Sequence, residues 1–294
     1  MNREPKQWQG TTDGTSWMHR SLIKVMRIIP LPVMYAGAAL FVVPFYMLFG
    51  RKGYLAQFHF FRERFGMGRL RTFCKVYLNH CRFSQVVLDR FYMYAGGKFK
   101  FDIEHYDRYQ TLAQSESGFI ILSAHVGNYE VAGYSLVAKD KRFNALLFGY
   151  EAETVMKNRN RILSANNIRM IPIKDDMSHL YTINNALRDG ETVSIPGDRV
   201  FGSPRTVECD FMGAKAQLPL GPFAIASQRE VPVLTIHVMK DSVRRYRIFI
   251  EELKAEGANI RERAASLAQQ YADKLETVVR QYPTQWYNYY EFWQ

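Results

Sequence analysis

The chain has 294 residues, of which 47% are hydrophobic and 23% are charged, so it suits one large α/β domain or two small ones and excludes wholesale disorder. Its 39 Lys and Arg residues outnumber its 28 Asp and Glu residues, and the formal net charge of +11 favours anionic partners. The sequence has no zinc-finger spacing, RNP-type aromatic motif or basic zipper, so we expect no nucleic acid among those partners.

The first predicted element is a long apolar helix. Residues 28–49 carry no charged side chain, and a helix of this length reaches about 33 Å, enough to cross the core of a bilayer. Pro44 lies inside the run and predicts a kink. Basic residues on both flanks give no orientation, so both a spanning and a partly inserted anchor on an anionic membrane surface fit. A buried helix of a soluble core is the alternative.

Residues 54–93 continue in helical register, with aromatic and basic side chains interleaved. This pattern is typical of an amphipathic helix on a membrane surface, and a solvated face on an ordinary helix is the alternative. We therefore predict two regions: a membrane-anchoring and amphipathic helical region at 1–97 and an α/β catalytic domain at 98–294.

The second region alternates predicted strands and helices, which indicates an α/β fold with a mostly parallel central sheet flanked by helices. Strands are predicted at 119–123, 143–148, 168–173, 192–195, 231–239 and 246–252. Helices are predicted at 128–137, 153–166, 177–188, 219–228 and 261–280. A loop rich in Gly and Pro is predicted between the strand at 192–195 and the helix at 219–228.

The strongest candidate for chemistry is the pair His125 and Glu130. His125 follows a predicted strand, and the carboxyl ends of strands are where open α/β sheets bind ligands. Glu130 falls in the first turns of the next helix, where its carboxylate can accept a hydrogen bond from the imidazole and raise the basicity of the other ring nitrogen. Gly127 allows the tight turn between them. A His and a Glu that merely cap a helix are the alternative.

This pair comes without a nucleophilic side chain, because the sequence contains no G-x-S-x-G elbow. A base without a nucleophile indicates direct deprotonation of a substrate hydroxyl, which then attacks an acyl thioester. The pattern thus favours an O-acyltransferase.

The same residues resemble a known family. His125 and Glu130 match the His-x-x-x-x-Asp/Glu motif of the glycerolipid and lysophospholipid acyltransferase superfamily, and SAHVGNYE at 123–130 is similar to the version in the late acyltransferases of lipid A biosynthesis. The stretch PGDRVFGSPRTVECDFMGAKAQLPLGPFAIA at 196–226 resembles that family's later block, and PTQWY at 283–287 resembles its terminal Pro-x-x-Trp pattern. The resemblance follows the family's order and covers most of the chain.

The resemblance implies an acyl-carrier-protein thioester as co-substrate, a lipid or glycolipid acceptor, no cofactor and no metal. It also implies the inner membrane, with the catalytic domain on the cytoplasmic face. The basic composition suits an acidic carrier protein and anionic lipid. The sequence has no P-loop or dinucleotide fingerprint, and its cysteines, Cys74, Cys81 and Cys209, are not spaced for a metal or a disulfide framework. We interpret all three as buried small hydrophobic residues.

Two segments depart from the family pattern, and two other segments resemble one branch of the family. The family's Asp-Gln is Asp198-Arg199 here, and its Tyr-Arg-Pro segment is replaced by FGYE at 148–151. The strings WQGT at 8–11 and LDR at 88–90 resemble the branch associated with aryl polyene and flexirubin-type pigment lipids.

Further candidates for substrate binding surround the motif. Gly127 and Asn128 open the helix after the strand. Arg159 and Arg161 can bind phosphate or brace Glu130, or form a solvated helix face. Asp198 and Arg199 end a strand on the same edge of the sheet, where a turn-stabilising Asp is the alternative. Gly213 allows a close approach of the backbone or is an ordinary turn glycine.

Two other functions remain open. One is an acyltransferase for lysophospholipids or pigment lipids that uses acyl-CoA. The other is a membrane-surface binding protein with a degenerate site.

Overall fold

The described N-terminal part of the chain, from residue 16 to residue 94, is helical. The computed structural model describes residues 16–128, 131, 136, 141–148, 167–173, 177–200 and 205–293. Its first elements are α1 (Ser16–Met26), α2 (Leu31–Gly37), a π-helical turn (Ala38–Val42), α3 (Val43–Phe49), α4 (Arg51–Phe65) and α5 (Arg69–Tyr94).

The π-helical turn interrupts the predicted apolar helix and ends two residues before Pro44. Proline has no amide hydrogen to give to the carbonyl four residues earlier, and a widened turn accommodates that loss. The predicted irregularity at Pro44 therefore takes the form of a π turn between α2 and α3.

The stretch Leu31–Phe49 has a mean hydropathy of 1.8 and is long and apolar enough to cross a membrane, while 17% of it is buried inside the protein. This exposure disagrees with the alternative of a helix buried in the protein's own core. The large apolar side chains it exposes are Val33, Leu40, Phe41, Val42, Phe45, Tyr46, Leu48 and Phe49.

The predicted helical stretch at 54–93 is two helices, since α4 ends at Phe65 and is followed by Gly66, whose φ of +60° is a left-handed conformation that favours glycine. Phe60, Phe61 and Val76 belong to the same hydrophobic core as one face of the central sheet. The helices α4 and α5 therefore pack directly on the α/β part of the chain.

A seven-stranded sheet forms the centre of the described structure. Its strands are β1 (Lys100–Glu104), β2 (Phe119–Ser123), β3 (Phe143–Phe148), β4 (Ile168–Ile173), β5 (Thr192–Pro196), β8 (Val233–Ser242) and β9 (Arg245–Leu253). Their order in the sheet is β1-β9-β8-β2-β5-β3-β4, and all neighbours are parallel except β8 and β9. The predicted fold, a mostly parallel sheet flanked by helices, is confirmed.

The helices that flank the sheet also agree with their predicted positions. They are α7 (Ser178–Arg188), α8 (Leu220–Arg229) and α9 (Ile260–Gln281), and a shorter helix, α6 (Tyr106–Gln114), was not predicted. The side chain of Asn259 caps α9 by accepting the backbone N–H of Glu262 at 3.0 Å. The helices predicted at 128–137 and 153–166 lie largely outside the described residues.

The predicted loop after the fourth strand is wrong over residues 206–219, which form a hairpin. Strands β6 (Thr206–Phe211) and β7 (Ala214–Pro219) pair antiparallel through a two-residue turn, Met212–Gly213. Both turn residues have positive φ, 53° and 77°, as a tight hairpin requires. The turn is Met-Gly, so the sequence lacks the Asn-Gly or Asp-Gly pair that predicts a tight hairpin.

Candidate active site

His125 lies just beyond the carboxyl end of β2, whose five residues are all buried. The turn that follows depends on Gly127, which has a φ of +54°. A Cβ atom there would lie 1.9 Å from the carbonyl oxygen of Val238, so only glycine fits. The turn thus packs tightly against β8 and places His125 at the edge of the sheet where α/β proteins bind ligands.

Asp198 meets His125 because their strands are parallel neighbours. Ser123, the last residue of β2, is in register with Pro196, the last residue of β5. His125 and Asp198 each follow two residues later. Asp198 Oδ1 accepts a hydrogen bond from His125 Nδ1 at 2.7 Å, and Oδ2 accepts the backbone N–H of His125 at 2.8 Å. Both carboxylate oxygens therefore hold the histidine, one by its ring and one by its backbone.

This contact assigns different roles to the two ring nitrogens of His125. A carboxylate only accepts hydrogen bonds, so Nδ1 carries the proton and Nε2 is the basic nitrogen. The His125 side chain is 17% exposed and the Asp198 side chain 2% exposed. The arrangement suits a general base whose protonated form is stabilised by a buried carboxylate.

The pKa values of the two groups follow from burial and from their mutual attraction. Burial lowers the pKa of His125 below 6.5, although the negative charge of Asp198 acts in the opposite direction. Burial raises the pKa of Asp198, but attraction to His125 and Arg199 together with its hydrogen bonds outweighs burial, and the net shift is downward. Asp198 is thus charged and His125 neutral at pH 7, as a base requires.

The C-terminal segment 283–293 completes this edge of the sheet. Trp286, which is buried, forms an antiparallel bridge with Val126 in the turn. Two backbone hydrogen bonds form this bridge, from Gly127 N–H to Gln285 C=O at 2.7 Å and from Tyr287 N–H to His125 C=O at 2.9 Å. The terminal PTQWY block therefore supports the backbone that carries the histidine.

Arg199 links Asp198 to the same segment. Its Nη2 donates to the carbonyl oxygen of Tyr287 at 3.0 Å, and the Tyr290 hydroxyl donates to the carbonyl oxygen of Asp198 at 3.3 Å. The positive charge of Arg199 also helps to keep Asp198 ionised. In the described structure, Arg199 thus supports the His125–Asp198 pair.

Sequence comparison identifies the family. The family of bacterial lipid A biosynthesis acyltransferases matches residues 98–294, which include every element of the central sheet and the whole site. The chain belongs to this family. It is an acyltransferase of lipid metabolism, of the bacterial lipid A biosynthesis type.

Other comparisons add little to the family match. No curated protein sequence matches the chain. The solved structure of the 1-acyl-sn-glycerophosphate (LPA) acyltransferase PlsC from Thermotoga maritima aligns with 92% of this chain and 99% of its own, at 14% identity and a TM-score of 0.40. A likeness of that size supports no further conclusion, and the assignment rests on the sequence family. The family match does not distinguish the pigment-lipid branch, which stays a prediction.

Three residues predicted for the acyltransferase site, Glu130, Arg159 and Arg161, lie outside the described residues. The predicted contact between His125 and Glu130 therefore stays a prediction, as do the roles of the two arginines. Asp198 was predicted to bind substrate; the structure places it on the imidazole of His125, and its contact with substrate, like that of Arg199, stays a prediction. The strand-end position of Asp198 was the available signal, but its neighbour in space is 73 residues away in sequence.

Gly127 and Asn128 have structural contacts at the turn of the acyltransferase. The Asn128 N–H donates to the Val238 carbonyl at 2.7 Å, and its side-chain amide donates to the Tyr246 hydroxyl at 3.1 Å. Together with the Gly127 N–H, which donates to Gln285, these groups hold the turn. Their predicted role in binding substrate is untested.

Gly213 lies in the β6–β7 turn, and a Cβ atom there would meet nothing within 4 Å. The structure therefore supports a turn glycine and gives no close backbone approach at this position. Its predicted contact with substrate stays a prediction.

Among the described residues of the acyltransferase, no group of three or more His, Cys, Asp or Glu side chains is arranged to hold a metal ion. All three cysteines are free. Cys81 and Cys209 are buried as predicted, whereas Cys74 is exposed on α5, so the prediction for that residue is wrong.

Proposed function

We propose that this acyltransferase moves a fatty acyl chain from an acyl-carrier-protein thioester to a hydroxyl of a lipid or glycolipid acceptor, with His125 as general base. The observation that supports this most is the double contact of Asp198 with His125, which orients the ring and makes Nε2 its basic nitrogen. Burial, against the opposing charge of Asp198, lowers the pKa of the ring and keeps it neutral at pH 7. The family match supplies the reaction type, acyl transfer.

The proposed reaction balances without an added cofactor. Nε2 of His125 removes the proton of the acceptor hydroxyl as that oxygen attacks the thioester carbonyl carbon. The tetrahedral intermediate then collapses, the carbon–sulfur bond breaks, and the imidazolium returns its proton to the leaving thiolate. Asp198 stabilises the imidazolium during both steps through its hydrogen bond to Nδ1. The products are an ester of the acceptor and the free thiol of the carrier.

Glu130 remains part of the proposal as a second carboxylate at the site. It completes the His-x-x-x-x-Glu spacing with His125 in the sequence. Because Nδ1 is occupied by Asp198, the contribution of Glu130 to the rate has to be measured separately.

The donor and the location are proposed from charge and exposure. A net charge of +11 suits both an acidic carrier protein and an anionic membrane surface. The exposed apolar stretch Leu31–Phe49 and membership of a lipid-modifying family favour membrane association. We place the protein at the inner membrane with the catalytic domain on the cytoplasmic face, where an acyl carrier protein is available.

Two measurements test this function. The first offers purified protein a palmitoyl thioester of acyl carrier protein or of CoA, each with a membrane lipid extract as acceptor. We expect transfer from the carrier thioester by the parent and its loss in His125→Ala. Preference for the CoA thioester would overturn the choice of donor, and full activity of His125→Ala would overturn the mechanism.

The second measurement identifies the acceptor. Lipids from cells with the gene, without it, and with the His125→Ala form are compared by mass spectrometry. We expect one lipid species to lose the mass of a single acyl chain in the last two strains. Identical lipid profiles in all three strains, together with no thioester turnover, would instead favour a binding protein with a degenerate site.

A further inference from the structure

A buried polar cluster lies between the N-terminal helices and the sheet. Asp89 on α5 is fully buried, and its Oδ2 lies 2.6 Å from Nζ of Lys240 on β8, which is also buried. The hydroxyl groups of Tyr35 and Tyr246 donate hydrogen bonds to the same carboxylate. We call these four residues the Asp89 cluster.

Stability alone is a poor explanation for this cluster. Removing two charges from water is costly, and well-packed apolar residues often stabilise a core as much as a buried ion pair. Burial raises the pKa of Asp89 and lowers that of Lys240, while their mutual attraction opposes both shifts. A buried pair with directional hydrogen bonds does, however, fix the relative positions of the elements that supply it.

One arm of the cluster reaches the apolar stretch Leu31–Phe49. Tyr35 on α2 belongs to that stretch, yet its side chain is buried and its hydroxyl contacts Asp89. Most of the stretch presents exposed apolar side chains. Tyr35 thus connects a segment with a membrane-like composition to the interior of the protein.

The other arm reaches the turn that carries His125. The side-chain amide of Asn128 donates to the Tyr246 hydroxyl at 3.1 Å, and that hydroxyl donates to Asp89. Asn128 is three residues beyond the histidine, and its own N–H is held by Val238 at 2.7 Å. A displacement of the Tyr246 hydroxyl therefore acts directly on the turn.

Lys240 reaches the same turn through its backbone. Its N–H donates to Gln285 Oε1 at 2.9 Å, and its carbonyl accepts from Gln285 Nε2 at 2.8 Å. The Gln285 carbonyl in turn accepts the N–H of Gly127 at 2.7 Å. The cluster thus holds the turn from two directions.

We propose that Asp89 is a positioning residue that couples the apolar stretch Leu31–Phe49 to the His125 turn, so that the stretch must be docked for the base to be correctly placed. This inference rests on the proposed role of His125 as the base. Asp89 touches no reacting atom in this scheme, and it acts through Tyr246 and Asn128 on one side and Tyr35 on the other.

The experiment removes one hydroxyl from each arm and leaves the ion pair in place. Tyr246→Phe breaks the link to Asn128, and Tyr35→Phe breaks the link to the apolar stretch. The matched control is Tyr77→Phe, because the Tyr77 hydroxyl joins α5 to the carbonyl of Ala39 in the same stretch at 2.8 Å and lies outside the cluster. All three substitutions keep the aromatic ring, so the packing of the core is preserved.

We expect Tyr246→Phe and Tyr35→Phe each to lower kcat about 10-fold through misplacement of the base, with KM for the thioester unchanged within about twofold. The double variant should be no slower than the slower single variant, because both changes interrupt one connection. Tyr77→Phe should keep the parent kcat. Thermal unfolding of all variants separates a slower enzyme from a smaller folded fraction.

The coupling would be overturned if Tyr246→Phe kept the kcat of the parent. It would also be overturned if Tyr35→Phe lost no more kcat than the control Tyr77→Phe. Strictly multiplicative losses in the double variant would also overturn it, since the two arms would then act independently. His125→Ala is measured alongside. If that variant is inactive while Tyr246→Phe is fully active, the inference fails and the proposed function stands, whereas an active His125→Ala removes the proposed function itself.

Discussion

Asp198 holds His125 at two points, with Oδ1 2.7 Å from the ring Nδ1 and Oδ2 2.8 Å from the backbone nitrogen. The first contact sets the tautomer of the ring, and the second fixes the position of the backbone that carries it. Orientation and basicity of the proposed base therefore depend on one carboxylate that arrives from a neighbouring strand.

The activity of the acyltransferase should be limited by protonation of His125 only at acidic pH. Burial lowers its pKa below 6.5, so the neutral, active form persists below that pH. We expect kcat/KM to be constant near pH 7 and to fall in acid with a midpoint below pH 6.5. The measurement follows acyl transfer from the thioester at each pH, after the rate of spontaneous thioester hydrolysis has been subtracted. A midpoint above 7 would contradict this assignment.

Asp198→Asn should lower kcat by about 10²- to 10⁴-fold, because an amide does not stabilise the imidazolium and can favour the other tautomer. The acidic midpoint should also move to lower pH, since a negative charge that raises the pKa of His125 is removed. The comparison variant is Glu130→Gln. If Glu130→Gln alone abolishes transfer and Asp198→Asn is nearly neutral, Asp198 does not support the base and Glu130 is its functional partner.

Gly127→Ala should destabilise the protein far more than Gly213→Ala, although both glycines have positive φ. At Gly213 a Cβ atom meets nothing within 4 Å, so the cost is the backbone strain of about 1–2 kcal/mol. At Gly127 the same atom would lie 1.9 Å from the Val238 carbonyl, and we expect a loss of at least about 3 kcal/mol. Urea unfolding of both variants measures the difference, and equal losses would show that the turn relaxes without cost.

The fold should lose stability in acid because of His237. This histidine is buried on β8, and burial lowers its pKa to about 4. Its folded pKa lies below the unfolded value of 6.5, so the unfolded chain binds more protons between those pH values, and stability falls as the pH falls through that window.

The contribution of His237 to this loss is on the order of 3 kcal/mol. His237→Leu should therefore show a smaller difference in unfolding free energy between pH 7 and pH 4 than the parent. Comparing the two pH values within each protein separates the titration from the cost of the substitution itself. An identical pH dependence in parent and variant would assign the acid sensitivity to other groups.

The sequence predicts most of the sheet because its strands are short apolar runs closed by turns, as at Phe119–Ser123 and Thr192–Pro196. The strand Lys100–Glu104 was missed because it is an edge strand of only five residues, with Phe101 and Ile103 as its sole apolar positions. The hairpin at residues 206–219 was missed because its turn is Met-Gly.

Local sequence patterns do not predict which carboxylate contacts His125. Sequence spacing selects Glu130, because it is the carboxylate nearest to His125 along the chain. The contact with Asp198 depends on β2 and β5 being adjacent and in register, and no periodicity within either strand reveals which strand lies next to it. The sequence identifies Asp198 as a residue at the end of a strand. Predicting its contact with His125 also requires the order of the strands in the sheet.

The bridge between Val126 and Trp286 also sets an order in time. A ribosome makes the apolar stretch Leu31–Phe49 long before it reaches Trp286, so a growing chain can meet a bilayer while the backbone beside His125 still lacks its neighbour. The backbone beside the proposed base is therefore completed about 240 residues of synthesis after the apolar stretch, and any early contact of that stretch with lipid precedes assembly of the site.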